Sequence, residues 1–213
     1  MINLKQFTFN PFQENTYVVF DETAECVIVD AGCYSSDEQI ELVEFIQSNG
    51  LKPKYLINTH GHIDHVLGNQ FVKDKYGVEI LANAEDYPLL KSVPAQAMMF
   101  GLSAEPVPEI DVYLNHGDII RFGNAELEVI HTPGHTKGGI CLYSKTGEFL
   151  ISGDTLFKSS IGRTDLQGGS FDQIIQSITS RLLTLGDNVK VYPGHGEAST
   201  IGYEKKNNPF LLK

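Results

Sequence analysis

Thr59-His60-Gly61-His62-Ile63-Asp64-His65 follows directly on a short apolar run, Tyr55–Asn58. The run reads as a strand, and His60 and His62 stand two positions apart at its end. In extended backbone that spacing points both imidazoles to one side. Asp64 and His65 come next, where the chain leaves the strand and a turn can aim a second pair at a neighbouring point. Neutral imidazole and carboxylate together suit Zn²⁺, Fe²⁺ or Mn²⁺. The chain has only seven histidines. Three of them crowded into this stretch beside an aspartate point to a metal centre.

Three further residues fall where such a centre would recruit them. His135 lies in His131-Thr132-Pro133-Gly134-His135-Thr136, Asp154 closes Ile151-Ser152-Gly153-Asp154, and His195 lies in Tyr192-Pro193-Gly194-His195-Gly196. Each follows a candidate strand (Glu126–Ile130, Phe149–Ser152 and Val189–Tyr192) with Gly or Pro beside it. Tight turns at strand ends would gather all of them at one sheet edge.

The remaining periodicities fill in the architecture. Strand-like runs occur at Leu4–Phe9, Thr16–Phe20, Cys26–Asp30, Val78–Ala82, Ile119–Phe122 and Ile140–Tyr143. Helical spacing appears at Ser36–Gln47, behind a Ser-Ser-Asp-Glu start with cap character, and recurs at Asn69–Tyr76, Ala84–Leu90 and Phe171–Leu183. Strands with a helix, then the same plan again, predict an α/β fold of two sheets with helices outside, an αββα sandwich. Ser92–Glu109 carries three prolines around Met98-Met99-Phe100-Gly101 and shows no clear period. It reads as a surface loop, either packed on the core or covering a substrate cleft.

Bulk properties narrow the function classes. At 213 residues the chain suits one domain, and 41% hydrophobic with 20% charged residues is ordinary globular composition. No apolar run approaches the roughly 20 residues of a membrane helix. The first residues lack the pattern of a signal peptide. Cys26, Cys33 and Cys141 are an odd number without a CxxC, so they read as buried fillers in a reducing, cytoplasmic setting. A net charge of −11 argues against nucleic acid and anionic membranes as partners. It still allows a small anionic substrate at a cationic metal site. Nothing in the sequence speaks to oligomeric state.

The HxHxDH stretch, followed in order by His135, Asp154 and His195, resembles the metallo-β-lactamase superfamily over the whole chain. Within it the chain is similar to short hydroxyacylglutathione hydrolases of glyoxalase II type. The residues carrying that likeness are Ile151–Phe157, Gly162-Arg163-Thr164-Asp165 and the tail Ser199–Phe210. The resemblance implies that His60, His62 and His135 hold one divalent ion, zinc before iron or manganese, and that Asp64, His65 and His195 hold a second. Asp154 would bridge the two. It further implies hydrolysis of a thioester such as S-lactoylglutathione through a hydroxide shared by the ions.

Asp64 counts as catalytic as well as metal-holding, and no acid or base is assigned outside the centre. His131 reads as a supporting or structural histidine, and His116 as a turn residue. Longer glyoxalase II enzymes add a C-terminal helical domain with basic contacts to glutathione, for which residues 1–213 leave no room. Arg163, Met98 and Phe100, with Lys158 and Met99, are the substitute substrate contacts. Arg163 could equally pair internally with Asp165. Persulfide dioxygenases of the same superfamily share the Gly162–Gln167 pattern. In that alternative, His60, His135 and Asp154 would hold a single iron. A phosphodiesterase or nuclease, or a binding module without catalysis, are more distant alternatives.

Overall fold

In the computed structural model, which describes residues 1–212, two six-stranded sheets face each other. The first comprises β1 (Asn3–Phe9), β2 (Glu14–Phe20), β3 (Glu25–Val29), β4 (Lys52–Ile57), β5 (Glu79–Ala82) and β6 (Val112–Tyr113), side by side in that order. The second runs β14 (Ser199–Thr200), β13 (Lys190–Pro193), β10 (Phe149–Gly153), β9 (Ile140–Ser144), β8 (Ala125–His131) and β7 (Ile119–Phe122). A small hairpin, β11 (Leu156–Phe157) with β12 (Ser160–Ile161), stands apart.

The layers follow from where apolar residues go. Tyr17, Val27, Ile57, Phe122, Leu127, Leu142 and Ile151 meet between the sheets. On the outer face of the first sheet, Ile28, Leu56 and Ile80 pack against α1 (Ser36–Ser48) and α2 (Asn69–Tyr76) through Leu42, Ile46 and Val72. On the outer face of the second, Cys141, Leu150 and Val191 receive Ile174 of α5 (Phe171–Ser177), with Ile178 and Leu182 of the π-helical turn Ile178–Leu182 that continues it. Ile201 of α6 (Ile201–Asn207) joins them. The order helix, sheet, sheet, helix is the expected αββα sandwich. β2 is buried almost throughout because both its faces are covered.

Local chemistry fixes the boundaries. Ser35 and Glu38 form a reciprocal capping box at the start of α1, so the helix begins where the sequence places it. The segment Ser92–Glu109 departs from expectation. Residues Val93–Met99 form α4, following the short α3 (Tyr87–Lys91). Pro94 sits in the first turn of α4, where a missing N–H costs no hydrogen bond. Only Val93 and Ala97 are buried, and two positions are too few to show a period. Past Gly101 the segment is irregular as far as Ile110, as expected.

Two glycines act at the sheet edge. Gly134 adopts φ +139° against the first turn of α5, where any Cβ would collide with the backbone of Ile174. A Cβ on Gly194 would run into Asp154 Oδ1 and His65 Cε1. The three cysteines are buried, unpaired thiols, and burial raises Cys26 and Cys33 to about 12. Among the described residues no helix is long and apolar enough to cross a membrane.

Candidate metal centre

Sheet pairing delivers the histidines and aspartates to one place. β3 and β4 are parallel neighbours, so their C-terminal ends set Asp30 beside Thr59 and His60. β10 and β13 are also parallel, with a bulge between Ile151 and Gly153, and this puts Asp154 beside Pro193-Gly194-His195. His135 enters from the turn after β8, while Ile63–His65 form a single tight helical turn. The seven residues picked out in the sequence thus meet at one edge of the sandwich.

Their ligand atoms form two groups. Those of His60, His62 and His135 lie within 4.8 Å of one another, as do those of Asp64, His65 and His195. Asp154 lies between the groups, with Oδ2 3.5 Å from His135 Nε2 and 3.7 Å from His195 Nε2, and Oδ1 3.4 Å from His65 Nε2. Asp64 Oδ2 stands 3.0 Å from His195 Nε2.

The outer nitrogen of each ring decides what its inner nitrogen presents. His135 Nδ1 lies 2.7 Å from the carbonyl of Arg163, which can only accept, so Nδ1 carries the hydrogen and Nε2 faces the centre. His65 Nδ1 donates likewise to Asp30 Oδ2 at 3.0 Å, and His195 Nδ1 to the carbonyl of Gln13 at 3.2 Å. The Thr59 hydroxyl donates to Asp30 Oδ2, leaving its oxygen to accept from His60 Nδ1 at 3.1 Å. His62 is turned the other way, its Nδ1 2.9 Å from His135 Nε2.

Buried polar groups normally have partners. Here His60 Nε2, His65 Nε2 and Asp154 Oδ1 are buried without a well-formed hydrogen bond. Converging lone pairs of imidazole and carboxylate are the donor set a divalent cation takes, so these residues fit such ions.

Charge divides the centre in two. Burial, followed by the neighbouring imidazoles, holds His60 well below its usual value, and burial with His135 brings His62 to about 4. In the other group burial works against the His65 cation. Asp64, Asp154 and Asp30 outweigh it and raise His65 well above the ordinary range. Burial alone would raise Asp154 as well, but His65, His135 and His195 hold it far below the carboxylate range.

Sequence reading missed three supporting carboxylates. Asp30 takes φ +53°, unusual for a non-glycine residue, and that twist at the end of β3 aims one carboxylate at both Thr59 and His65. Glu14 is fully buried, with Oε1 3.9 Å from His65 Nδ1. Asp86 accepts from the N–H of Gly61 (2.9 Å), the hydroxyl of Thr136 (2.7 Å) and the N–H of Gly138 (2.7 Å). It thereby ties the HxH stretch to the His135 turn. The signals were faint: Asp30 only ends a predicted strand, and Glu14 and Asp86 have partners distant in sequence.

The remaining candidates divide. Arg163 lines the cavity over the centre, but its guanidinium makes a two-pronged pair with Asp165 at 2.8 and 2.7 Å. That is the internal pairing weighed as the alternative. Lys158 pairs with Glu197 at 2.6 Å. Met99 and Phe100 line the cavity, whereas Met98 is not part of its lining. The α4 turn accounts for the difference, since successive helical residues point about 100° apart. His131 Nε2 donates to the carbonyl of Lys137 at 2.8 Å, a structural bond outside the centre. His116 is exposed in the turn before β7.

Comparison with known proteins settles the family. The pattern of the metallo-beta-lactamase superfamily matches residues 9–195. The chain belongs to that superfamily. It is 36% identical to the hydroxyacylglutathione hydrolase GloC of Haemophilus influenzae, the match covering 99% of this chain and 98% of that protein. Among solved structures it resembles the BLEG-1 B3 metallo-beta-lactamase, with 32% identity and a TM-score of 0.91 over 99% of this chain and 100% of that one. It also resembles TTHA1623 in a di-iron-bound form, with 33% identity and a TM-score of 0.87 over 97% of this chain and 100% of that one. For this superfamily member the His/Asp groups imply binding of divalent metal.

Proposed function

We propose that the chain is a dinuclear metal-dependent hydrolase that cleaves thioesters, with S-lactoylglutathione as its reference substrate. The observation that carries this reading is the position of Asp154. Its carboxylate lies within 3.7 Å of histidines from both groups, which suits one residue shared by two ions. The likeness to GloC supports the thioester, and the likeness to a di-iron protein supports two ions. Zinc is the proposed metal, with iron or manganese able to occupy the same donors. The buried, unpaired thiols fit a cytoplasmic setting.

His60, His62 and His135 would hold the first ion, Asp64, His65 and His195 the second, and Asp154 both. Bound there, a pair of divalent ions supplies Lewis acidity for a carbonyl oxygen and lowers the pKa of water toward neutrality. The protein's own share is orientation. The outer hydrogen bonds of His60, His65, His135 and His195 lock each ring with Nε2 inward before substrate arrives. Asp64 and Asp154 supply negative charge that balances the cations. Because a thiolate leaves without protonation, no general acid beyond the centre is needed.

The zinc-loaded chain is expected to hydrolyse S-lactoylglutathione, and His195→Ala to lower that rate at least about a hundredfold, with weaker binding of one ion. Oxygen uptake with glutathione persulfide is expected to be absent. An iron-loaded protein that consumes oxygen on the persulfide and cleaves no thioester would overturn the hydrolase reading in favour of a mononuclear dioxygenase.

A further inference from the structure

Above the centre opens a cavity of about 790 Å³, within the range of small-molecule sites. Phe12, Met99 and Phe100 give its lining an apolar character, joined by Phe157 of the β11–β12 hairpin and Leu166 of the loop that follows. Phe12 and Phe100 pack edge to face at 5.0 Å, and the ring of Phe157 lies 6.3 Å from that of His195. Apolar surface therefore begins beside the reacting groups. Met99 is 84% and Phe100 59% exposed, which leaves them ready to be covered.

The polar groups of the walls are largely spent on the protein itself. Gln96 accepts from the Ile63 N–H at 3.1 Å and donates to the Leu89 carbonyl and to Ser92 Oγ, both at 3.0 Å. Ser92 in turn donates to the Leu89 carbonyl at 2.8 Å. The cation on the lining, Arg163, is paired with Asp165 at 2.7 Å. Ser160 and Gln167 add only neutral polarity. An anionic carrier such as glutathione, with two carboxylates, thus finds no unpaired cation along these walls outside the metal centre.

We propose that this cavity selects thioesters whose acyl group is apolar and uncharged, a medium-length aliphatic or aryl chain seated among Phe12, Met99, Phe100, Phe157 and Leu166. The inference rests on the thioester reading above and adds the class of acyl group. Covering one methylene is worth about a fourfold gain in binding. Selectivity should therefore climb with chain length until the cavity is full.

The test uses the zinc-loaded full chain and S-acyl derivatives of N-acetylcysteamine, a small neutral thiol, from acetyl to octanoyl. We expect kcat/KM to rise about fourfold per methylene and to exceed that for S-lactoylglutathione. In the double variant Met99→Ala with Phe100→Ala, the gain should fall below about twofold per methylene while bound zinc is unchanged. Calorimetry with the uncleavable thioether S-octyl-N-acetylcysteamine should show binding about tenfold weaker in the same variant. A flat series with S-lactoylglutathione as the best substrate overturns the apolar assignment and leaves the hydrolase standing. Thioether binding that depends on Met99 and Phe100, with none of the thioesters cleaved, upholds the apolar cavity and overturns the thioester reading.

Discussion

Asp154→Ala is expected to lower thioester hydrolysis at least about a thousandfold and to empty both ion sites in part. Its carboxylate is the group within 3.7 Å of His65, His135 and His195 together. Losing the charge stabilisation supplied by a metal pair costs several kcal/mol, and each 1.36 kcal/mol is a factor of ten in rate. The variant should therefore bind less than one equivalent of zinc tightly, which elemental analysis after gel filtration reads directly. Retention of two tightly bound ions would show that Asp154 does not serve both groups.

A second large effect lies outside the ligands. Asp86→Ala should cost about 4 kcal/mol of folding stability, measured by urea unfolding, because three buried donors each lose an acceptor worth about 1–3 kcal/mol. The stranded groups are the N–H of Gly61, the hydroxyl of Thr136 and the N–H of Gly138. Gly61 separates His60 from His62, and Thr136 follows His135, so the same change should loosen the three-histidine group. Asp86→Asn retains one acceptor oxygen and should recover part of the loss. A cost below about 1 kcal/mol for the alanine variant would mean that these bonds are replaced by water and that Asp86 does not brace the centre.

Asp86 also illustrates what the sequence conceals. His60, His62, Asp64 and His65 announce themselves because four candidate ligands, three histidines and an aspartate, crowd into six residues, and His135, Asp154 and His195 because each follows a strand with Gly or Pro beside it. Those are local signals, and β4, β8, β10 and β13 deliver the side chains where the signals imply. Asp86 and Glu14 carry no such mark, since their roles exist only once distant segments meet: Asp86 lies 50 residues from Thr136 and 52 from Gly138. Helix α4 was obscured for a different reason. A short helix on the rim buries only Val93 and Ala97, and the exposed Met98 and Met99 at its end, with Phe100 after them, look like an irregular apolar loop. The end of that helix brings Met99 and the next residue, Phe100, into the cavity lining but not Met98, a distinction no spacing argument drew. Arg163 and Asp165 lie close enough to pair or to separate around a ligand, and only their 2.7 Å contact shows the pairing.

The most direct measurement is a zinc titration of metal-stripped protein, with bound zinc and thioester hydrolysis followed on the same samples. Two histidine groups sharing Asp154 require that hydrolysis reach its plateau only as the second equivalent binds, and that chelation abolish it. A plateau at one equivalent, or hydrolysis that survives complete removal of metal, would contradict a dinuclear hydrolytic centre.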